Sequence, residues 1–596
     1  MRKNPFFEKY GTPHETIPFH SISITDIEEA ISEGIKNEEY EIYAIANNPE
    51  APTFENTIVA FERSGELLQQ ATTVMYNLLS AETNDELDAL SQRMAPLLSD
   101  HNSNIMLNRQ LFHRINSVWE QYADKLEGED RALLEKTYGA FERSGATLSD
   151  EKRQRLRDIS AELSQLSLSF SQNNLKETNA FFLHITTEKD LSGLPEMQIQ
   201  QAADIAKEKN MSGWVITLQA PSYVPFMTYA DSRELRKQLY MAYNTKCTHD
   251  NNFNNYEIVR RIINLRQEKA KLLGYPTYAD FVLKRRMAEN PEKVYDLLNQ
   301  LIAEYKSPAE KELSDISEHA RCLEGNDFVL LPWDYSYYSH KLQMERFALD
   351  SEMLRPYFEL SKVMQGIFDL ATRLYGITFL ENKDIPVYHP DVSAYEVYDA
   401  DHRFLAVLYT DFHPRAGKQG GAWMTSYKEQ WKDGMENQRP HVAIVTNFTR
   451  PTANKPALLT LSEVETFLHE FGHALHGIFA DTKYSSMSGT NVYWDFVELP
   501  SQFMENYAVE KAFLRTFACH YLTGELIPDE LIERIIKSRN FNAAYACMRQ
   551  VSFGLLDMAY YTLKEEFSSD IQKFEKKAWH KARLLPDPED TCMTVH

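Results

Sequence analysis

Apolar residues recur along this chain at helical intervals far more often than they alternate. Ile27, Ile31 and Ile35 step by four behind Thr25-Asp26-Ile27-Glu28, whose T-x-x-E spacing is that of a capping box, so a helix is predicted to begin there. Leu156, Ile159, Leu163, Leu166 and Phe170 step by three and four in turn, an apolar seam about four turns long. The first 180 residues therefore read as almost entirely helical, and stripes of this kind are in the first place core. Between Phe181 and Pro225 the pattern changes to short apolar runs, Phe181-Phe182-Leu183 and Trp214-Val215-Ile216, set apart by Gly193, Pro195 and Gly213. Helical texture resumes from Ser232 to Tyr375, interrupted by Pro332-Trp333-Asp334-Tyr335-Ser336-Tyr337-Tyr338. The clearest strands are Tyr395 to Tyr398, a turn at Asp399-Ala400-Asp401, Phe404 to Tyr409, and His441 to Phe448. The pattern predicts a mainly α protein with a small antiparallel sheet, divided softly into a helical N-terminal region, 1–220, and a second region, 221–596.

Composition sharpens this picture. The 596 residues include only 21 glycines, about half the average usage of roughly 7%, which favours helix. Lys and Arg number 63 against 87 Asp and Glu, a net charge of −24 with no compensating basic patch, so nucleic acid and anionic membranes are not expected partners. The five cysteines, Cys247, Cys322, Cys519, Cys547 and Cys592, are odd in number and scattered, which argues against a disulfide framework or a thiolate metal cluster and for a reducing compartment. The start meets charges within a few residues, and no segment runs 18 apolar residues, so a cytoplasmic protein is expected.

The chemistry concentrates in His469-Glu470-Phe471-Gly472-His473, an H-E-x-x-H motif. Ser462 and Glu465 repeat the S-x-x-E spacing just ahead of it and predict the start of its helix. At about 100° per residue, Val464, Phe467, Leu468, Phe471, Leu475 and Ile478 fall on one face and His469 and His473 on the opposite one. Imidazoles four positions apart reach one ion at about 2.0–2.1 Å, and Glu470 is swung beside that ion, placed to take a proton from bound water without filling a coordination position. By chance alone the bare motif turns up in a chain of this length on the order of a few per cent of the time, so a third ligand decides its meaning. Asp481, Asp495 and Glu498 are the downstream candidates. The metzincin continuation fails, because His476 stands where glycine is required and Phe479 where histidine is required. Glu498, Gln502 and Glu505 share one helical stripe, with Pro500 near its start. Asp495 and Glu505 are candidates to accept the outer N–H of either histidine, and equally to serve as caps or surface charges.

These residues resemble the thimet oligopeptidase and dipeptidyl carboxypeptidase family of zinc peptidases. The likeness rests on His469-Glu-Phe-Gly-His473 with Glu498 in Asp495-Phe-Val-Glu-Leu-Pro-Ser-Gln502, and on Tyr409-Thr-Asp-Phe-His-Pro-Arg415-Ala-Gly-Lys418-Gln-Gly420-Gly421-Ala-Trp423-Met424. Ser488-Gly-Thr-Asn491 and Ile385-Pro-Val-Tyr-His-Pro-Asp391 bring it closest to the bacterial dipeptidyl carboxypeptidase branch. The resemblance implies a two-lobed helical ellipsoid with a deep substrate channel, residues 221–596 forming the metallopeptidase region. It implies one Zn2+ per chain held by His469, His473 and Glu498, with Glu470 as general base. It also implies that a strand near Gly420 and Gly421, and the strand ending in Asn447, hold the substrate backbone; from the residues alone, Gly420-Gly421 is a tight turn and Trp423 is core.

The resemblance further implies a Gly-rich, Tyr-rich stretch beyond His596 that supplies oxyanion donors, so the expectation is a complete metal site with impaired turnover. The leading function is release of C-terminal dipeptides from short peptides by a cytoplasmic monomer. Endopeptidase action on oligopeptides is the alternative within the same class, and a metal-holding but inactive peptide binder the alternative outside it.

Overall fold

The computed structural model describes residues 2–415, 417–434, 436–451 and 455–596. Helices dominate it, as the periodicity predicts, and the chain divides into two compact units, each discontinuous in sequence: Met1–Leu148 with Asp350–Glu533, and Ser149–Leu349 with Arg534–His596. The expected boundary at residue 220 lies inside the second unit, at the start of the helix Ala220–Tyr229.

In the first unit, helix α1, Ile24–Ala46, starts two residues earlier than the T-x-x-E spacing indicates. Two capping boxes overlap here, and the shorter carboxylate wins: Asp26 accepts from the Ser23 backbone N–H at 2.7 Å and hydroxyl at 2.6 Å, while Arg2 pairs with it from outside. Ile27, Ala30 and Ile31 of α1 pack with Leu68, Ala71, Val74 and Met75 of α2, Glu66–Ala81, against Val407, Tyr409, Ala443 and Val445.

Those last four belong to a five-stranded sheet made of β1, Thr378–Glu381; β2, Val392–Tyr398; β3, Phe404–Asp411; β4, Trp423–Lys428; and β5, His441–Val445. The order is β1-β2-β3-β5-β4. Three pairings are antiparallel, but β3 and β5 run parallel, with Val407 opposite His441 and Asp411 opposite Val445. The sheet is therefore mixed, because the 29 residues between β3 and β5 are long enough for a crossover and contain β4 themselves. Of its strands, β1 was not evident from the sequence, and β4 was expected only through the resemblance, as a strand near Gly420 and Gly421. Every residue of β5 is buried: alternate side chains meet α1 and α2 on one face and the H-E-x-x-H helix on the other, which is why it reads as a continuous apolar run.

In the second unit the seam from Leu156 to Phe170 lies in the helix Asp150–Ala180. The change of pattern after Phe181 is a two-stranded antiparallel pair, Phe182–Ile185 with Trp214–Thr217. Helices Pro291–Glu324 and Ala543–Tyr561 meet through Leu298, Ala309, Met548, Val551 and Leu555. The aromatic interruption is core: Asp334 is fully buried against the equally buried Arg236 at 3.1 Å, and the guanidinium lies 4.0 Å from the centroid of Tyr337. Among the described residues no helix is long and apolar enough to cross a membrane, and all five cysteines are free.

Candidate metal centre

The H-E-x-x-H segment lies in helix α3, Leu461–Ile478. Its cap is Thr460 with Glu463, not Ser462 with Glu465: the Thr460 hydroxyl accepts from the Glu463 N–H at 3.1 Å and Glu463 accepts from the Thr460 N–H at 2.7 Å. The reason is upstream. Leu459 is held in extended chain by its N–H to the Phe358 carbonyl at 2.8 Å, so Thr460 is the first residue able to turn. Val464, Phe467, Leu468, Phe471 and Ile478 are fully buried. Phe467 packs edge-on to Phe412 and beside Phe448, which seats α3 on the sheet.

The opposite face carries the chemistry. His469, His473 and Glu498 place one donor atom each within 4.8 Å of one another. Glu498 Oε2 lies 3.2 Å from His469 Nε2 and 3.1 Å from His473 Nε2. Glu498 caps helix α4, Leu499–Glu505, and Pro500 falls in the first turn of that helix, where no backbone donor is required. α4 can lie this close because residue 472 is glycine: a Cβ there would stand 2.5 Å from the Pro500 carbonyl oxygen and 2.6 Å from Ser501 Cα. The Ser501 hydroxyl donates to Glu498 Oε2 at 2.7 Å. Burial works to raise the Glu498 carboxyl, but Ser501 and the two imidazoles outweigh it and hold it below its ordinary range.

Two turns along the same helix, Glu505 accepts from His469 Nδ1 at 2.7 Å. That bond holds the His469 ring with Nε2 turned towards Glu498. Two imidazole nitrogens facing one carboxylate oxygen at 3.2 and 3.1 Å, with the outer nitrogen of His469 held by Glu505, are a donor set that fits a metal ion. Asp495 is exposed on the segment ahead of α4, and His473 Nδ1 is buried with no acceptor among the described residues. Asp481 pairs with Lys432 at 2.5 Å and does not join the cluster.

Glu470 is buried beside these groups, its Oε2 without a hydrogen-bond partner. Burial pushes its carboxyl up to about 7, with His469 opposing, Glu498 adding to the rise, and the Met424 backbone N–H opposing through a hydrogen bond. Met424 lies on β4, the edge strand, so the sheet edge and the buried carboxylate meet at one point. Gly420 and Gly421 precede that strand, face open space where a side chain would be, and Gly421 has φ +92°. Asn447 donates from Nδ2 to the carbonyls of Gln419 at 2.8 Å and Gly421 at 2.7 Å. Trp423 packs against the sheet core. Sequence reasoning missed Gly472, Ser501 and the Met424 N–H. The one available signal was a glycine between the two histidines, a position where only a close backbone neighbour demands it.

The model of Peptidase family M3 matches residues 226–593. The chain belongs to Peptidase family M3. It is a metallopeptidase. It is 35% identical over 579 residues to dipeptidyl carboxypeptidase of Escherichia coli (strain K12), covering 96% of this chain and 85% of that one. It is also 35% identical over 568 residues to oligopeptidase A of the same organism, covering 94% and 83%. A solved structure named as an oligoendopeptidase F shares 14% identity and a TM-score of 0.50 over 98% of this chain and 82% of its own, a likeness of fold alone.

Proposed function

We propose that this M3 peptidase hydrolyses short peptides with one zinc ion held by His469, His473 and Glu498, releases dipeptides from their C-termini, and uses Glu470 as general base. The observation that carries this reading is the convergence of three donors within 4.8 Å beside a buried, incompletely hydrogen-bonded carboxylate. A zinc ion bound there supplies Lewis acidity towards the scissile carbonyl and acidifies bound water. Glu470 takes the proton from the attacking water and carries it to the leaving amine, which a carboxyl with an affinity near neutrality does in both directions. The glycines at 420 and 421 leave backbone groups accessible to a peptide main chain, and Asn447 fixes that segment. Short peptides are the expected partners, and the enzyme is taken to be a cytoplasmic monomer.

Endopeptidase action on oligopeptides is the second reading, favoured by the equal identity to oligopeptidase A. The test is product analysis on an N-blocked tetrapeptide and its C-terminal amide, with zinc measured in the same samples. Dipeptide release that requires the free carboxylate supports the first reading, and equal cleavage of the amide supports the second. Glu470→Gln is expected to keep zinc and lose about 10² to 10⁴ in kcat, whereas Glu498→Ala is expected to lose the metal. Full zinc occupancy in Glu498→Ala would remove Glu498 from the site.

A further inference from the structure

At the end of β3 lies a cluster of buried charges that the chemistry above does not use. Asp411 ends β3 with its side chain fully buried. It accepts from the Tyr388 hydroxyl at 2.7 Å, from both terminal nitrogens of Arg415 at 2.8 and 2.6 Å, and from Lys418 Nζ at 2.9 Å. Lys418 is fully buried at its head and spends its other donors on the carbonyls of Asp411 and His413, each at 2.9 Å. A buried ammonium and guanidinium on one carboxylate is an expensive arrangement that hydrophobic packing could replace, so its use is to be sought in what it holds in place.

What it holds is the segment leading to Gly420 and Gly421. Arg415 donates to the Ala81 carbonyl at 2.7 Å and pairs with Glu82, and the Gln419 N–H donates to the Ser80 carbonyl at 2.8 Å. The segment thus caps the open carbonyls at the C-terminal end of α2. The Thr83 N–H returns a bond to the Gly417 carbonyl at 2.7 Å, and the Thr83 carbonyl oxygen occupies the place of a side chain at residue 417. On the other side, Thr446 and Phe448 donate their N–H groups to the carbonyls of Asp411 and Phe412 at 2.8 and 2.7 Å. Those two bonds fix Asn447 between them, from which it reaches Gln419 and Gly421. The same α2 also holds β4, because Asn77 donates to the Ser426 carbonyl at 3.0 Å and accepts from the Thr425 hydroxyl at 2.8 Å. Main-chain and side-chain bonds therefore immobilise residues on both sides of Gly420, and the glycines themselves face open space.

We infer that Arg415 and Lys418, acting through Asp411, are positioning residues that hold the Gly420–Gly421 backbone in the geometry that binds the main chain of a peptide substrate. The inference rests on the reading of Gly420 and Gly421 as peptide-binding groups. Pre-organised backbone donors and acceptors add affinity by removing the ordering of the loop from the binding step, and misplacement by about 1 Å costs up to roughly a hundredfold.

The test uses the full chain loaded with zinc. Lys418→Met is expected to raise KM for a tetrapeptide at least about tenfold, with kcat within about threefold and zinc content unchanged. Inhibition by acetohydroxamate, a metal-binding group with no peptide main chain, is expected to stay the same. Arg415→Lys keeps the charge but loses the fork that joins Asp411 to α2, and it gives the answer should Lys418→Met fail to fold. An unchanged KM in a folded variant overturns the inference. So does a loss of acetohydroxamate inhibition in parallel with the loss of peptide affinity, since the cluster would then be supporting the whole site. Gly421→Ala separates the two levels, because its φ disfavours any side chain. If that variant leaves KM unchanged, the peptide-binding reading of the glycines fails and takes the inference with it. If it raises KM while Lys418→Met and Arg415→Lys do not, only the positioning role fails.

Discussion

At the scale of single residues, the proposed zinc centre depends on which nitrogen of each histidine is occupied. Glu505 occupies Nδ1 of His469, and this fixes the ring direction. Glu505→Gln keeps an acceptor oxygen but loses the charge that makes His469 a better donor. It is expected to weaken zinc affinity about tenfold, the low end of what such partners contribute. Titration against a zinc chelator of known affinity checks this, and an unchanged affinity would make Glu505 an ordinary surface carboxylate. At this scale the sequence was informative where chemistry imposes a spacing. Four positions along a helix bring two imidazoles together whatever surrounds them, so His469, Glu470 and His473 are legible as a unit. The choice among Asp481, Asp495 and Glu498 from the residues alone was not legible, because it depends on how two helices cross, and only the resemblance singled out Glu498. Ser501 has no signature at all, since its value comes from a hydroxyl that reaches Glu498 Oε2 at 2.7 Å after folding.

At the scale of elements, Gly472 decides how closely α3 and α4 approach. Replacing a helical glycine by alanine ordinarily stabilises a helix by about 0.5–1 kcal/mol. Here the added methyl would stand 2.5 Å from the Pro500 carbonyl oxygen, and overpacking of that kind costs about 1–3 kcal/mol. The second effect is the larger, so Gly472→Ala is expected to lower the melting temperature and also to lose zinc, because α4 carries Glu498 and Glu505 away with it. A variant more stable than wild type with full zinc content would refute this. The helices were predictable to within about a turn because their apolar stripes repeat, but their first residues were not. Thr460-Leu-Ser-Glu-Val-Glu465 contains two overlapping boxes, and the extended pairing of Leu459 with Phe358 chooses between them. β4 was legible only through the resemblance, for a related reason. As an edge strand beside a glycine pair it is short and mixed in polarity, and its place beside β5 is set by a long-range pairing of Met424 with Ile444.

At the scale of the whole molecule, the 87 acidic residues include carboxylates whose surroundings push them in opposite directions, and these make stability depend on pH. Burial works to raise Asp411, but Arg415, Lys418 and Tyr388 outweigh it and hold it below its ordinary range. A carboxyl depressed on folding contributes stability above its unfolded pKa, and that contribution is lost as pH falls through its folded one. Asp411→Asn should therefore be less stable than wild type at neutral pH, by a margin that narrows once pH drops below about 4. Glu429 behaves in the opposite sense. Burial pushes it up to about 7, against hydrogen bonds from Ser426 and Asn491. A carboxyl raised on folding favours the folded state fully below its unfolded pKa, and that advantage is lost as pH rises from about 4.5 through 7. A displacement of that size corresponds to on the order of 3 kcal/mol, less where water reaches the group. Glu429→Gln keeps the hydrogen bonds and removes the titration. Its melting temperature is expected to exceed that of wild type at pH 8 and to show no such excess at pH 5. Thermal melts of the three proteins at pH 3.5, 5, 6.5 and 8 decide the matter. A Glu429→Gln difference that does not change between pH 5 and pH 8 would mean that this carboxyl titrates alike in the folded and unfolded chain.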